Sequence, residues 1–428
     1  MKRQRVADRP PSAVFHAITH VWGREYLDLF LNVCIPNQLA AGNVPALPPG
    51  SRYRILTRSL HVPELDAHPM VNALRERIPV DLVVVEALER GTDATGSYDL
   101  MNACHRKAID DALDADAAII MLGADLVLSN EALATVVRRH REGYRMVAVT
   151  GLRLSKESFL QDLQQSPVPL SALSSRELVR LGLRHLHRYT KSMFATAAPF
   201  CRKPVAVYWP VGDEGLIARC LSLHPLMIDP MRAVTLTEGT NDGPYMAQAC
   251  PDAARVHVVT DSDELQMFEL SSMKHDARRG AGAMVWRVAA MAAKCDEQQL
   301  AIWHRRDICL HAGDVNDRWQ ATAAEAQECA DRVVRRRGYA RFVLRWIRRI
   351  ERLRKRPGEY FNVRTSERHH VRGKRLARMA ERPAKLWKRC RTSVARRQLL
   401  RPLRLAAHRS AKAFRKSRRR IFRQVAIR

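Results

Sequence analysis

Short apolar segments alternate with amphipathic ones over about one hundred residues of this chain, at the lengths typical of strands and helices. The predicted strands are 52–57, 80–88, 117–122 and 145–153. The helices predicted between them are 66–77, 97–113 and 129–143. Strands that are apolar on both faces and joined by helices form a parallel sheet covered on both sides. The sequence therefore predicts an α/β fold with a mostly parallel sheet flanked by helices.

The carboxyl ends of these strands are where a ligand is expected, since open α/β sheets bind ligands there. Thr57 ends the first predicted strand, and Glu86 and Asp93 follow the second. Asp125 follows the third strand, and His105 lies on the helix that precedes it. Asp is also a common turn former, so the presence of an acid does not by itself identify a site. These residues are candidates because of their position at this edge of the sheet.

Residues 80–133 carry the most specific pattern, VDLVVVEALERGTDATGSYDLMNACHRKAIDDALDADAAIIMLGADLVLSNEAL. A strand ends in an acid, a Gly/Thr/Asp turn and a helix follow, and the next strand runs into Gly123-Ala124-Asp125. This segment resembles the nucleotide-binding half of GT-A glycosyltransferases of the family-2 type, over about residues 52–154. In that family an Asp-x-Asp motif holds the metal on the sugar-nucleotide diphosphate. Here Gly123 replaces the first Asp of the motif, and Asp125 stands at the second.

The resemblance implies roles for the residues at this edge. Asp125 would bind a divalent cation, Mg²⁺ or Mn²⁺, which one or two carboxylates can hold together with phosphate oxygens and water. His224 would be a further metal ligand, although a His beside a proline is also a common turn residue. The nucleotide-sugar donor would be bound by Thr57, Glu86, Asp93 and His105.

Four acids in the second half of the chain are candidates for the catalytic base, since an inverting transfer needs a carboxylate to deprotonate the acceptor hydroxyl. Asp213 and Glu214 follow a strand and a glycine turn, and Asp261 and Asp263 follow the apolar segment VHVVT. The alternative for the second pair is capping of a following helix, where Asp is preferred.

Several enzyme classes lose support because their motifs are missing from the sequence. There is no phosphate-binding P-loop, no G-x-G-x-x-G after a strand, no G-x-S-x-G and no H-E-x-x-H. The nine cysteines include no C-x-x-C pair, which fits a reducing cytoplasm better than secretion. The basic N-terminus lacks the apolar region of a signal peptide, and no apolar run reaches the ~20 residues that span a bilayer.

Charge is distributed very unevenly along the chain. Residues 331–428 hold 36 of the 73 Lys and Arg residues but five of the 44 acids, a net charge of +31. The preceding 330 residues carry a net charge of −2. Within the basic part, apolar residues from Phe342 to Leu353 share one predicted helical face. A basic amphipathic helix of this kind indicates docking on an anionic membrane surface, and nucleic acid is the alternative polyanion.

Together these features predict four regions. They are an N-terminal helical segment (1–51), a GT-A-like nucleotide-sugar-binding and catalytic domain (52–276), a helical segment (277–330) and a basic, partly disordered helical extension (331–428). The predicted function is transfer of a sugar from a nucleotide-sugar donor to a cell-envelope, polysaccharide or lipid acceptor, by a cytoplasmic enzyme peripheral to the inner membrane face. The alternative is a catalytically degenerate GT-A-like binding protein that its basic extension tethers to membrane or nucleic acid.

Overall fold

The computed structural model of the protein describes residues 11–86, 88, 97–232, 245–274 and 283–355, with the side chains of 97, 98 and 347–355 excepted. The chain divides into two compact units, 1–344 and 345–428. The first unit contains the whole of the sheet structure described below.

Thirteen strands and thirteen helices are found in the described residues, with a π-helical turn, Phe30–Cys34, between the first two helices. The strands are β1 Phe15–Val21, β2 Arg52–Thr57, β3 Val80–Val84, β4 Ala118–Gly123, β5 Leu126–Leu128, β6 Met146–Val149, β7 Leu152–Ser155, β8 Ala206–Pro210, β9 Gly215–Cys220, β10 His224–Ile228, β11 Val256–Val258, β12 Met267–Ser271 and β13 Ile308–His311. The helices are α1 Arg24–Leu29, α2 Ile35–Gln38, α3 Val62–Ala67, α4 Pro69–Arg75, α5 Ser97–Asp114, α6 Ala132–Arg141, α7 Lys156–Gln165, α8 Ser175–Arg184, α9 Arg188–Lys191, α10 Tyr245–Ala249, α11 Met284–Ala292, α12 Glu297–Arg305 and α13 Asp317–Lys355.

The core of the first unit is a seven-stranded sheet in the order β11-β6-β10-β4-β1-β2-β3. Its strands are parallel except β10, which runs antiparallel to both β4 and β6. The α/β class with a mostly parallel sheet is therefore confirmed. The chain moves outward from β1 to β3 and then returns to place β4 on the other side of β1. A topological switch point thus lies between β1 and β4, and a crevice forms at their carboxyl ends.

Two three-stranded sheets adjoin this central sheet. One has the order β5-β12-β7, with β12 antiparallel to β5 and parallel to β7. The other is the antiparallel sheet β13-β9-β8. Because β5 follows directly after β4, the first small sheet brings residues of β7 and β12 close to the switch point.

The central strand β1 differs from the sequence-based prediction, which expected a helical segment over 1–51. The structure has a strand to Val21 and helices from Arg24 onward. Six of the seven β1 residues are buried, yet FHAITHV includes two histidines and a threonine and so does not read as an apolar run. A second strand, β13, lies within the region 277–330 that was expected to be helical.

The long helix α13 carries the start of the basic region. Position 331, where acids become rare, lies inside this helix. Val333 is fully buried, and Arg337 donates to the Ala292 carbonyl and pairs with Glu297. The domain boundaries given above remain predictions. No helix among the described residues combines the length and apolarity needed to cross a membrane.

Candidate functional site

Two histidines lie at the switch point between β1 and β4, one half-buried (His20) and one buried (His105). His20, near the end of β1, pairs in register with Gly123 of β4. The ring of His105, on α5, packs edge-on against that of His20 with 4.9 Å between centroids. Burial lowers the pKa of His20 to about 4 and that of His105 well below its usual value. Both imidazoles are therefore neutral at physiological pH and can donate or accept hydrogen bonds.

One face of α5 presents polar atoms that have no hydrogen-bond partner among the described residues. Asn102 Oδ1, His105 Nδ1 and Arg106 Nε are all buried and unpartnered, and their spacing of three and four residues places them on one side of the helix. The hydroxyl of Tyr245 on α10 is buried and unpartnered too. Each such atom costs about 1–3 kcal/mol, so a polar ligand that supplied partners here would be stabilised.

A charged group formed by Asp125, Glu269 and Arg153 lies just after β4, where β12 pairs with β5 and β7. The Asp125 carbonyl accepts from the Leu270 N–H at 2.8 Å, and Glu269 pairs in register with Leu126 and with Arg153. Arg153 Nε lies 3.0 Å from Glu269 Oε1. Burial, followed by the charge of Glu269, raises the pKa of Asp125 to about 7, and Arg153 acts in the opposite direction. The group thus contains two carboxylates and one guanidinium.

Gly123 is explained by the conformation of Asp125. A Cβ at position 123 would lie 2.8 Å from Asp125 Oδ1 and 3.0 Å from Leu126 Cγ. A side chain at this position would therefore displace the Asp125 carboxylate. In the family's motif the first Asp stands at position 123. Glycine at this position leaves room for the carboxylate of Asp125, the second Asp of the motif, in its present orientation. We call His20, His105, Asp125, Glu269 and Arg153 the switch-point site.

The other residues predicted to bind the donor lie at the ends of β2 and β3. Thr57 is fully buried, and its hydroxyl donates to the Val21 carbonyl at 2.7 Å. Glu86 Oε1 accepts from the N–H and the hydroxyl of Ser59, each at 2.8 Å. These bonds tie neighbouring strand ends together. Asp93 lies outside the described residues.

The predicted metal ligand His224 begins β10 and is half-buried. Its Nε2 donates to the Met121 carbonyl at 2.8 Å. Its charge also lowers the pKa of His20 and His105, after burial. His224 therefore lies close to the switch-point site, next to β4.

The candidate bases fall in two other places. Asp213 is exposed on the turn between β8 and β9. Glu214, one residue later, accepts from Asn316 Nδ2 at 3.0 Å and from Trp319 Nε1 at 3.3 Å. The Glu214 carboxylate therefore holds the beginning of α13.

Asp261 and Asp263 meet a third residue, His311, which the sequence analysis missed. One ligand atom from each of the three lies within 4.8 Å of the others. His311 ends β13 and is 2% exposed, and the only sequence signal for it is a His closing the short apolar run ICLH. We call these three residues the carboxylate–histidine cluster. It is able to hold a divalent cation.

Comparisons with known proteins give little beyond this. No protein-family model matches the chain, and no curated protein matches it significantly. Among solved structures it is similar to the mannosyltransferase PcManGT from Pyrobaculum calidifontis in complex with GDP-Man and Mn²⁺. The two chains are 12% identical, the match covers 81% of each, and the TM-score is 0.28. A likeness this weak carries no argument about function, which must come from the residues of the chain itself.

Proposed function

We propose that the chain is a glycosyltransferase that binds a nucleotide-sugar donor at the switch-point site. One observation carries the proposal: unpartnered buried polar atoms and a pair of carboxylates lie at the same switch point of a mostly parallel sheet. A nucleotide diphosphate needs both kinds of group, since its base and ribose form hydrogen bonds and its diphosphate carries charge. Ligands of α/β sheets bind at such switch points.

The diphosphate would meet the carboxylate side of the site. Asp125 and Glu269 carry more negative charge than Arg153 neutralises, and burial followed by the charge of Glu269 raises the pKa of Asp125. A Mg²⁺ or Mn²⁺ ion would favour the ionised carboxylate and can complete its shell with phosphate oxygens and water. The donor set therefore fits a divalent cation, with His224 as a further candidate ligand. Such an ion supplies charge stabilisation to a leaving diphosphate.

The nucleoside would meet the α5 side of the site. Asn102 Oδ1 can accept a hydrogen bond, Arg106 Nε can donate one, and the neutral His105 can do either. Thr57 and Glu86 lie at the neighbouring strand ends, where the predicted contacts to the base and ribose would be made. Their present hydrogen bonds would then position the strand ends, with Glu86 Oε2 buried and unpartnered.

Of the four candidate bases, Asp213 is the most available. Glu214 is engaged by Asn316 and Trp319, and Asp261 and Asp263 belong to the carboxylate–histidine cluster. Asp213 is exposed and has no hydrogen-bond partner among the described residues. An acceptor hydroxyl brought to the β8–β9 turn could lose its proton to this carboxylate.

The acceptor is proposed to be an envelope polysaccharide or lipid at the cytoplasmic face of the membrane, because of the basic region. Each Lys or Arg close to an anionic leaflet contributes about 1 kcal/mol, and residues 331–428 have a net charge of +31. Tyr339 and Phe342 on α13 are 46% and 59% exposed, which suits insertion between lipid headgroups. Sedimentation with anionic vesicles but not with neutral ones would support this; tight DNA binding without vesicle binding would contradict it.

A thermal-shift screen of nucleotide diphosphate sugars with Mn²⁺ tests the donor site. A donor should raise the Tm of the wild type, and the shift should be lost in Asp125→Ala and reduced in His105→Ala. Asp66→Asn, on the exposed surface, is the matched control and should keep the full shift. If no nucleotide raises the Tm of the wild type, the proposed function is wrong. If the shift survives in Asp125→Ala, the donor binds elsewhere.

A further inference from the structure

The structure assigns a second cation site to the carboxylate–histidine cluster of Asp261, Asp263 and His311. We propose that it takes a transition-metal ion such as Zn²⁺ and clamps the end of β11 to β13. Imidazole nitrogen combined with carboxylate oxygen is a donor set typical of zinc sites. The cluster is separate from the switch-point site, because β11 and β4 are three strands apart, or about 14 Å at the usual strand spacing.

The orientation of His311 is the strongest evidence. Its Nδ1 lies 2.6 Å from the Gly313 carbonyl, to which it donates. Its Nε2 lies 2.9 Å from Asp261 Oδ1, a hydrogen bond in which Nε2 is the donor, and 3.9 Å from Asp263 Oδ2. The ring therefore aims Nε2 at both carboxylates, and a metal ion that replaced the proton on Nε2 would contact all three side chains. Metal-ligating histidines are commonly fixed in this way, by donating their other ring N–H to a backbone carbonyl.

The charges around the cluster also favour a divalent cation. Arg176 contacts Asp263 at 2.7 Å and Asp314 at 2.7 Å. The cluster and its direct partners thus contain three carboxylates and one guanidinium, an excess of two negative charges once a metal ion has replaced the proton on His311 Nε2. One divalent ion would cancel this excess, with Arg176 remaining as a hydrogen-bond donor to the ligand Asp263.

The backbone around the cluster is already ordered for such a site. Cys309 N–H donates to the Thr260 carbonyl at 2.8 Å, and Ser262 N–H donates to the Cys309 carbonyl at 2.9 Å. The buried Ser262 hydroxyl accepts from the His311 N–H at 3.0 Å. These bonds hold the segment after β11 alongside β13. Asp261 and Asp263 are half-exposed, so their carboxylates can move the few tenths of an ångström that metal bonds of about 2.0–2.2 Å require.

Zinc binding by the full chain, stripped of metal with EDTA and then dialysed, tests the proposal. Calorimetric titration of the Asp125→Asn chain with Zn²⁺ should show one site, and X-ray absorption should show one nitrogen ligand together with oxygen ligands. Asp261→Asn and Asp263→Asn should each weaken binding about 10–100-fold. Asp314→Asn, which also pairs with Arg176 but lies outside the cluster, is the matched control and should change affinity less than threefold.

The two half-exposed carboxylates are used because His311 is buried and its replacement could unfold the chain. Zn²⁺ binding that is absent in the wild type, or unchanged in both Asp261→Asn and Asp263→Asn, would overturn the proposal. Asp125→Asn should retain the zinc affinity. A loss of donor binding in that variant with zinc binding intact would show that the two sites are independent, so either proposal can fail without the other.

Discussion

Replacing Asp125 by Asn should make the metal-free protein more stable at pH 8 than the wild type. The folded state holds this carboxyl with a pKa of about 7, above its ordinary value of 3.8. Stability is therefore greatest where the carboxyl is protonated in both states, and it is lost as pH rises from 3.8 through 7. The full shift corresponds to about 4 kcal/mol, of which about 2–3 kcal/mol is lost between pH 5 and pH 8. An asparagine cannot ionise and should not show this loss.

Urea unfolding in EDTA at pH 5 and pH 8 measures the difference. The free energy of unfolding of Asp125→Asn relative to wild type should rise by about 2–3 kcal/mol between the two pH values. Glu269→Gln, which removes the second cause of the shift, should reduce the pH dependence of the wild type. Adding Mn²⁺ at pH 8 should restore stability to the wild type alone. An identical pH dependence in wild type and Asp125→Asn would refute this account of the site.

Two further predictions concern the framework. Replacing Asp229, which is fully buried and contacts both Arg145 and His140, by Ala should cost about 3–5 kcal/mol of stability, because the Arg145 guanidinium loses a buried carboxylate partner; urea unfolding measures it. Removal of 345–428 should leave the melting temperature unchanged, whereas removal of 331–428 should lower it, because Val333 is fully buried. Equal melting temperatures of the two truncated chains would contradict the packing of α13 described here.

The sheet could be predicted from the sequence wherever its strands are apolar on both faces. β2, β3 and β4 were predicted in this way, and the prediction of ligand binding at their carboxyl ends follows from the parallel topology. β1 could not be found by the same reasoning. Its histidines and threonine face partners that only the folded chain provides, such as the Tyr53 hydroxyl, which lies 2.7 Å from Thr19 Oγ1.

The partners of the candidate residues were harder to predict. Asp125 and His105 were identified locally, from their places beside β4. Glu269 reaches Asp125 through the pairing of β12 with β5, and His311 reaches Asp261 through the contact of β13 with the segment after β11. These approaches depend on strand register between distant parts of the chain, and no local pattern in the sequence encodes it.

Photo-crosslinking tests the central claim most directly. The full chain is irradiated with an azido-labelled nucleotide diphosphate sugar and Mn²⁺, and the labelled peptide is identified by mass spectrometry. The label should fall on α5 or the end of β4, within residues 97–125, and excess unlabelled donor should abolish it. Labelling confined to other parts of the chain, or labelling that excess donor does not reduce, would contradict a nucleotide-sugar site at the switch point.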